Sequence, residues 1–146
     1  MTTIAYDGNM IAADTQCNSG FIEQQPVNKI HDCGECYLLT AGSTGAIKLW
    51  IEWYKEGCDK DEFKKIGFEE NSVYVIEVNK KTRKARTWDS EFPVPTLDWS
   101  RAKTAEGSGR DFAMGAMLAG KGAGDAVVIA SKLDKDTGGK IMTVRS

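Results

Sequence analysis

The sequence contains no apolar run that approaches the roughly 20 residues needed to cross a bilayer, so no membrane partner is expected. Residues 1–20 include Asp7 and Asp14 and lack the basic segment of a secretory signal peptide. Both absences predict a cytoplasmic protein. In that reducing compartment, the four cysteines are expected to be thiols rather than a disulfide framework.

Positive charge is not in excess either, because 19 Lys and Arg side chains face 21 Asp and Glu side chains, for a net charge of -2. The densest basic run, NKKTRKAR, lies between two strand-like segments and is expected to form a solvated hairpin turn. A nucleic-acid surface usually shows a basic face or stripe, so nucleic acid is not expected as a partner.

Metal ligands are scarce as well, since the chain has one histidine and four cysteines. The segment HDCGEC combines His31, Cys33 and Cys36, and Cys17 or Cys58 could add a further ligand. A structural zinc site normally uses two ligand pairs at defined spacing, whereas here a single Cys-x-x-Cys falls in a predicted tight turn. We therefore predict neither a metal nor another cofactor.

The order of elements predicts an α+β fold in one domain, residues 1–146. Turn residues between short apolar runs predict three antiparallel hairpins, and a closing strand is predicted in GGKIMTV. Two sheets between helical layers would bury every apolar face. The hairpins are TIAY with MIAAD, PVNKIH with CYLLTAG, and SVYVIEV with KARTW, whereas DSEFPVPTLDW is predicted to be a proline-broken connection.

Three segments predict clear helices. In the helix over 45–56 the apolar residues span about 200°, enough to face both its own sheet and a neighbouring subunit. Two later helices are predicted in DFAMGAMLAG, with Phe112 on its apolar face, and in GDAVVIASKLD, with Leu133 on its apolar face.

The opening segment MTTIAYDGNMIAAD places two threonines before the first strand. A methionine before a small residue is commonly removed, and removal of Met1 would make Thr2 the N-terminus. The hydroxyl is a poor nucleophile alone, but the α-amino group, with a reference pKa of about 7.7–8.0, could act as its base. The alternative is that the two threonines only begin a β-strand.

Further candidates for chemistry follow along the chain. Lys29 in VNKIH would lower the pKa of a nearby amine by charge repulsion, although strand lysines are usually exposed. Asp14 could cap a turn or pair with a buried lysine. The segment TAGSTGA could leave backbone N–H groups free to bind an oxyanion, although small residues also suit a plain helix cap.

The segment TTIAYDGNMIAADTQ resembles the opening of proteasome β-type and HslV-like subunits, which are N-terminal nucleophile (Ntn) hydrolases. VNKI, TAGSTGA, GSGRDFAMGAM and LDKDTGGKIMTV follow in the family's order, so the resemblance covers essentially the whole chain. Small phage-encoded or prophage-like relatives look most similar, which would place the protein in a host cytoplasm. The resemblance implies a four-layer α/β/β/α sandwich and a threonine peptidase that forms an acyl-enzyme.

The resemblance also implies a role for individual residues. Thr2 would be the nucleophile and its amine the proton shuttle, Lys29 would tune that amine, and Asp14 would pair with Lys29. The N–H of Gly42 would stabilise the oxyanion. Supporting hydrogen bonds near the amine would come from Ser108, Asp134 and Thr137. Substrate side chains would contact residues around Lys29 and Gly42, namely Cys17, Val27, His31, Thr40 and Thr44.

The chain departs from the family pattern in its helices. Proteasome-type subunits have two long helices after the oxyanion glycine, which help to join two rings, whereas here only the short segment 59–66 follows the first helix. A homo-oligomeric ring acting on peptides or unfolded proteins is still expected, with an ATP-dependent unfoldase as a candidate partner. Two alternatives are an Ntn amidase for a small amide and a catalytically silent assembly subunit that retains Met1.

Overall fold

A computed structural model describes residues 2–16 and 27–145, which form two antiparallel sheets and four helices. The elements in chain order are β1 (Thr3–Tyr6), β2 (Met10–Ala13), β3 (Ile30–Asp32), β4 (Cys36–Gly42), α1 (Thr44–Lys55), α2 (Lys60–Ile66), β5 (Val73–Asn79), β6 (Ala85–Asp89), β7 (Leu97–Ser100), β8 (Thr104–Gly107), α3 (Arg110–Leu118), α4 (Ala123–Leu133) and β9 (Met142–Arg145). One sheet has the order β8–β1–β2–β9 and the other the order β3–β4–β5–β6–β7.

The two sheets pack face to face around the central core. Alternation along β1 sends Ile4 and Tyr6 toward the five-stranded sheet, where they meet Leu39 of β4 and Ile76 of β5. All four side chains are fully buried. The alternation of residues along the strands therefore places the apolar side chains of both sheets in the core between them.

Helices cover the outer face of each sheet. The small side chains of Ala5 and Ala12 let α3 and α4 approach the four-stranded sheet closely. On the opposite side, Trp50 of α1 and Trp88 of β6 lie in a large aromatic cluster beneath α1 and α2. The layers run helix, sheet, sheet, helix, so the predicted α+β, four-layer α/β/β/α sandwich is confirmed.

A buried carboxylate ties α1 to the five-stranded sheet. Glu77 is 2% exposed and accepts hydrogen bonds from the Tyr54 hydroxyl at 2.5 Å, from Arg86 Nε at 2.5 Å and from Trp88 Nε1 at 2.8 Å. Three donors satisfy a charge that would be unfavourable if it were unpaired in the core. The position of α1 over the sheet is thus set by polar contacts as well as by its tryptophans.

The predicted hairpins, the first helix and the closing strand are confirmed, and NKKTRK forms the largely exposed turn between β5 and β6. The assignment of DSEFPVPTLDW to a connection was partly wrong, because β7 begins after its second proline as an edge strand, where a nearby proline is tolerated. The predicted apolar face of α3 was also wrong. Ala113 and Met117 are buried, whereas Phe112 is 42% exposed, and on α4 Leu133 is 62% exposed.

Candidate active site

The candidate site lies where the start of β1 meets the junction between β4 and α1. There, Thr2 lines a cavity of about 730 Å³ together with Lys29 and Gly42. Thr2 directly precedes β1, Lys29 directly precedes β3, and Gly42 ends β4. The face-to-face packing of the two sheets therefore brings three distant segments to one cavity.

Thr2 contacts both charged residues that were predicted to serve it. Lys29 Nζ donates to Thr2 Oγ1, and Thr2 Oγ1 donates to Asp14 Oδ1. Lys29 Nζ also lies 2.7 Å from Asp14 Oδ1, which makes a buried ion pair. The threonine hydroxyl is thus held between an ammonium group and a carboxylate.

Backbone groups hold this ion pair in place. Asp14 is fully buried and accepts from the Thr3 N–H at 3.2 Å and from the Gly138 N–H at 3.0 Å. Lys29 Nζ donates to the Gln16 carbonyl oxygen at 2.6 Å. Gln16 and Gly138 were not predicted as site residues, because both contribute backbone atoms, which any residue type supplies. The only signal in the sequence was that Gln16 lies within TTIAYDGNMIAADTQ and Gly138 within LDKDTGGKIMTV.

A second hydrogen-bonded group supports the other side of Thr2. The Ser108 hydroxyl lies 2.6 Å from Asp134 Oδ2 and 3.4 Å from the Thr2 carbonyl oxygen. Thr137 Oγ1 lies 2.7 Å from Asp134 Oδ2 and also 2.7 Å from Thr3 Oγ1. The structure therefore links Ser108, Asp134 and Thr137 to the Thr2–Thr3 segment.

The ionised form of Asp134 is favoured in this arrangement. Partial burial by itself would raise the pKa of Asp134. The hydrogen bonds from Ser108, Thr137 and the Asp136 backbone outweigh burial and hold that pKa below its usual value. Asp134 therefore acts as a charged anchor for both hydroxyl groups at neutral pH.

Gly42 occupies a position that only glycine suits. Its φ is +127°, and a Cβ built on it would lie 2.1 Å from the Ser72 carbonyl oxygen. The Thr40 N–H donates to the Lys29 carbonyl oxygen on the β3 side, and the Ser43 N–H donates to the Ser72 carbonyl oxygen on the β5 side. Because N–H groups alternate along a strand, the Gly42 N–H points to the Lys29 side, where the cavity lies.

The start of α1 adds positive potential next to Gly42. The helix begins at Thr44, and Ser43, Thr44 and Gly45 all line the cavity. The first N–H groups of a helix lack intrahelical partners and favour negative charge. A developing oxyanion near Gly42 would thus be close to both a backbone donor and a helix N-terminus.

Four of the five predicted substrate contacts line this cavity, namely Val27, His31, Thr40 and Thr44, and Cys17 lies outside the described residues. His31 Nε2 is 3.3 Å from Thr40 Oγ1. Burial, and then the positive charge of Lys55, lower the pKa of His31 below its usual value. The imidazole is therefore neutral at neutral pH.

The outer wall of the cavity was not predicted as part of the site. It is one side of α1, with residues at helical spacing: Ile47, Lys48, Ile51, Glu52 and Lys55. The signal was present in the sequence, since these positions alternate between apolar and charged along one stripe. Their role in a cavity depends on how α1 lies across the β3–β4 hairpin.

The HDCGEC segment forms the β3–β4 hairpin, in which Cys36 is buried and Cys33 is partly buried. Burial, and then the nearby Glu77 carboxylate, raise the pKa of Cys36 to about 11, so the thiol is protonated at neutral pH. Within residues 2–16 and 27–145, no three His, Cys, Asp or Glu side chains are grouped so that they could hold a metal ion.

Over the same described residues, no helix is long and apolar enough to cross a membrane.

No protein-family model matches the sequence, and no curated protein matches it. Similarity is instead found among solved structures. Thiobacillus denitrificans BPH in complex with Epoxomicin has a TM-score of 0.73 at 21% identity, covering 99% of this chain and 97% of that chain. Eukaryotic HslV from Trypanosoma brucei has a TM-score of 0.65 at 17% identity, covering 99% of both chains.

The Anbu (Gly-1) mutant from Hyphomicrobium sp. strain MC1 has a TM-score of 0.73 at 13% identity, covering 100% of this chain and 82% of that chain. These alignments extend over nearly all of the chain, and HslV is among the proteins that the sequence motifs resemble. At these identities the likeness establishes the fold alone. The chain therefore has the four-layer α/β/β/α fold of the Ntn hydrolases.

Proposed function

We propose that this protein is a threonine peptidase in which Thr2 becomes the N-terminal nucleophile once the Met1–Thr2 bond is cleaved. The observation that carries the proposal is the position of the Thr2 hydroxyl between Lys29 and Asp14 at the wall of a cavity. A threonine that only began a β-strand would have no need of a buried ion pair, which is unfavourable to desolvate.

In the proposed first step, the free α-amino group of Thr2 takes the proton from Oγ1, and Oγ1 attacks the peptide carbonyl carbon. The ammonium of Lys29 favours the neutral amine by charge repulsion and stabilises the developing negative charge on Oγ1. Asp14 keeps Lys29 in place through the 2.7 Å ion pair. One residue thereby supplies both nucleophile and base.

In the later steps of the proposed reaction, the Gly42 N–H and the start of α1 stabilise the tetrahedral oxyanion. The protonated amine gives its proton to the leaving nitrogen, the C–N bond breaks, and an ester on Thr2 Oγ1 remains. Water, deprotonated by the same amine, then attacks the ester and releases the acid. During these steps Ser108 holds the Thr2 carbonyl oxygen and Thr137 holds the Thr3 hydroxyl, and Asp134 anchors both Ser108 and Thr137.

The shape of the cavity favours a peptide over a small amide. Its outer wall follows α1 from Thr44 to Lys55, a rise of about 16 Å along the helix axis. An extended peptide covers that distance with about five residues. The proposal also includes assembly into a homo-oligomeric ring, which the family resemblance implies, with an ATP-dependent unfoldase as a candidate partner.

Intact mass combined with N-terminal sequencing tests the proposal. We expect the purified protein to begin at Thr2 and to gain the mass of one epoxomicin molecule on incubation, since a structural neighbour was solved with that compound. Thr2→Ala should block the adduct, and Ser43→Ala, which changes another hydroxyl at the cavity, should not. Complete retention of Met1 in an assembled, native preparation would instead support the silent subunit.

A further inference from the structure

The charges that line the cavity are unevenly compensated. Lys29 is neutralised by its ion pair with Asp14. Lys48 and Lys55 also line the cavity, and within residues 2–16 and 27–145 neither of them forms an ion pair. Glu52 is the only carboxylate among the described lining residues, so positive charge is in excess there.

This positive charge lies at both ends of the cavity. The N-terminus of α1 contributes positive potential beside Gly42, and Lys48 follows one turn later. Lys55, at the other end of α1, adds to the burial that lowers the pKa of His31, and it partly offsets the burial that raises the pKa of the Cys33 thiol. A bound side chain therefore lies near positive charge at either end of α1, with Glu52 as the one carboxylate among the described lining residues.

Apolar side chains share the walls with these charges, and Glu52 lies on the α1 wall between Lys48 and Lys55. Ile47 and Ile51 line the α1 side, and Val27 lies on the opposite strand side. Thr40 adds a hydroxyl, and the neutral imidazole of His31 adds little charge. This combination suits a side chain with a methylene stem and an anionic tip.

We propose that the cavity selects an acidic residue, with glutamate preferred, immediately before the bond that is cleaved. The inference rests on the proposed function and names the substrate class of the same site. The glutamate methylenes would contact Ile47 and Ile51, and its carboxylate would pair with Lys48 or Lys55. A basic residue would have Glu52 as its single partner and would be repelled by two lysines.

The test uses fluorogenic peptides that differ only in this residue, which is Glu, Gln, Leu or Lys. Glu and Gln have the same shape, so the ratio of their kcat/KM values isolates the effect of charge. We expect Glu to exceed Gln about fivefold, the upper range for a partly exposed ion pair. The ratio should fall as salt is added, because exposed charges are screened.

Charge reversal supplies the matched comparison. The double variant Lys48→Glu, Lys55→Glu should favour the Lys peptide over the Glu peptide. The control is Lys132→Glu, which makes the same change in the last turn of α4 and lies outside the cavity. This control variant should leave the ratio of kcat/KM for the Glu peptide to that for the Gln peptide unchanged.

Binding separates this inference from the proposed function. Anisotropy of labelled peptides on the full-length Thr2→Ala variant should show the same preference for Glu over Gln without cleavage. If the Thr2→Ala variant binds Glu peptides selectively but the protein with Thr2 intact cleaves none of them, the peptidase proposal is rejected and the acidic preference is kept. Cleavage or binding that favours Gln, Leu or Lys over Glu would overturn the acidic preference alone.

Discussion

At the residue scale, Asp14 accepts four hydrogen bonds in the candidate site. It accepts from two backbone N–H groups, from Thr2 Oγ1 and from Lys29 Nζ, and it is fully buried. Replacing it by asparagine leaves the Lys29 charge without its carboxylate in a buried setting. We expect Asp14→Asn to lower the free energy of unfolding by about 3 kcal/mol. Urea denaturation measures this loss.

The same variant should lose the proposed peptidase activity because Lys29 no longer has a fixed position. A shift of about 1 Å at a catalytic group costs about 100-fold in rate, so peptide hydrolysis should fall by at least that factor. Asp111→Asn serves as control, since that side chain is 94% exposed and its ion pair with Arg110 is 3.7 Å long. It should change stability by less than about 0.5 kcal/mol. Equal losses in both variants would argue against a special role for Asp14.

His31 is the single histidine in the chain, which makes its titration directly observable by NMR. Burial and Lys55 lower its pKa below 6.5, so the folded protein binds this proton more weakly than the unfolded chain does. The stability contribution is therefore complete above pH 6.5 and is lost as the pH falls through the folded-state pKa. Lys55→Gln should raise the pKa only in part, because burial remains. A measured pKa at or above 6.5 would contradict this account.

The residues that could be predicted from the sequence are those whose type is chemically unusual where they occur. Lys29 in a strand-like segment and Asp14 after a run of apolar residues could be recognised for that reason. Gln16 and Gly138 could not be predicted, since they act through a carbonyl oxygen and an N–H group. Backbone groups are present at every residue, and only the folded chain shows which of them point at the site.

At the scale of elements, α1 connects the core to the cavity, and Glu77 fixes it to the sheet. Glu77→Ala would leave the Tyr54 hydroxyl, Arg86 and Trp88 Nε1 without their acceptor. We expect a loss of about 3–5 kcal/mol in the free energy of unfolding, measured in urea. Glu62→Ala on α2, where the side chain is 55% exposed, should lose no more than about 1 kcal/mol. A small effect at Glu77 would mean that the tryptophans alone hold α1.

Helix and strand types were largely predictable, because hydrophobic periodicity is a local property of the chain. The buried faces of the helices were predicted less well. The α3 pattern is compatible with two adjacent apolar stripes, and contact with the alanine-rich sheet face selected Ala113 and Met117 over Phe112. The edge strand β7 was missed because two prolines precede it and its side chains are mostly exposed. An exposed edge strand leaves little hydrophobic signal.

At the scale of the whole molecule, the sandwich predicts an order of local stability. β1, β4 and β5 each pair with strands on both sides and contribute side chains to the central core. β7 and β9 are edge strands with mostly exposed side chains. Amide hydrogen exchange should therefore be slowest in β1, β4 and β5 and faster in β7 and β9. Uniform exchange across the strands would contradict a four-layer core.

The sequence by itself determined the strand and helix periods, the turns of the hairpins and the order of the motifs, because each depends on residues close together in the chain. Only the tertiary structure decided that Thr2 meets Lys29, 27 residues away, and that Asp14 meets Gly138, 124 residues away. It also decided that the charged side of α1 lines a cavity. The Thr2–Lys29 contact arises from packing two sheets face to face, and the Asp14–Gly138 contact arises from the pairing of β2 with β9. No local pattern encodes either arrangement.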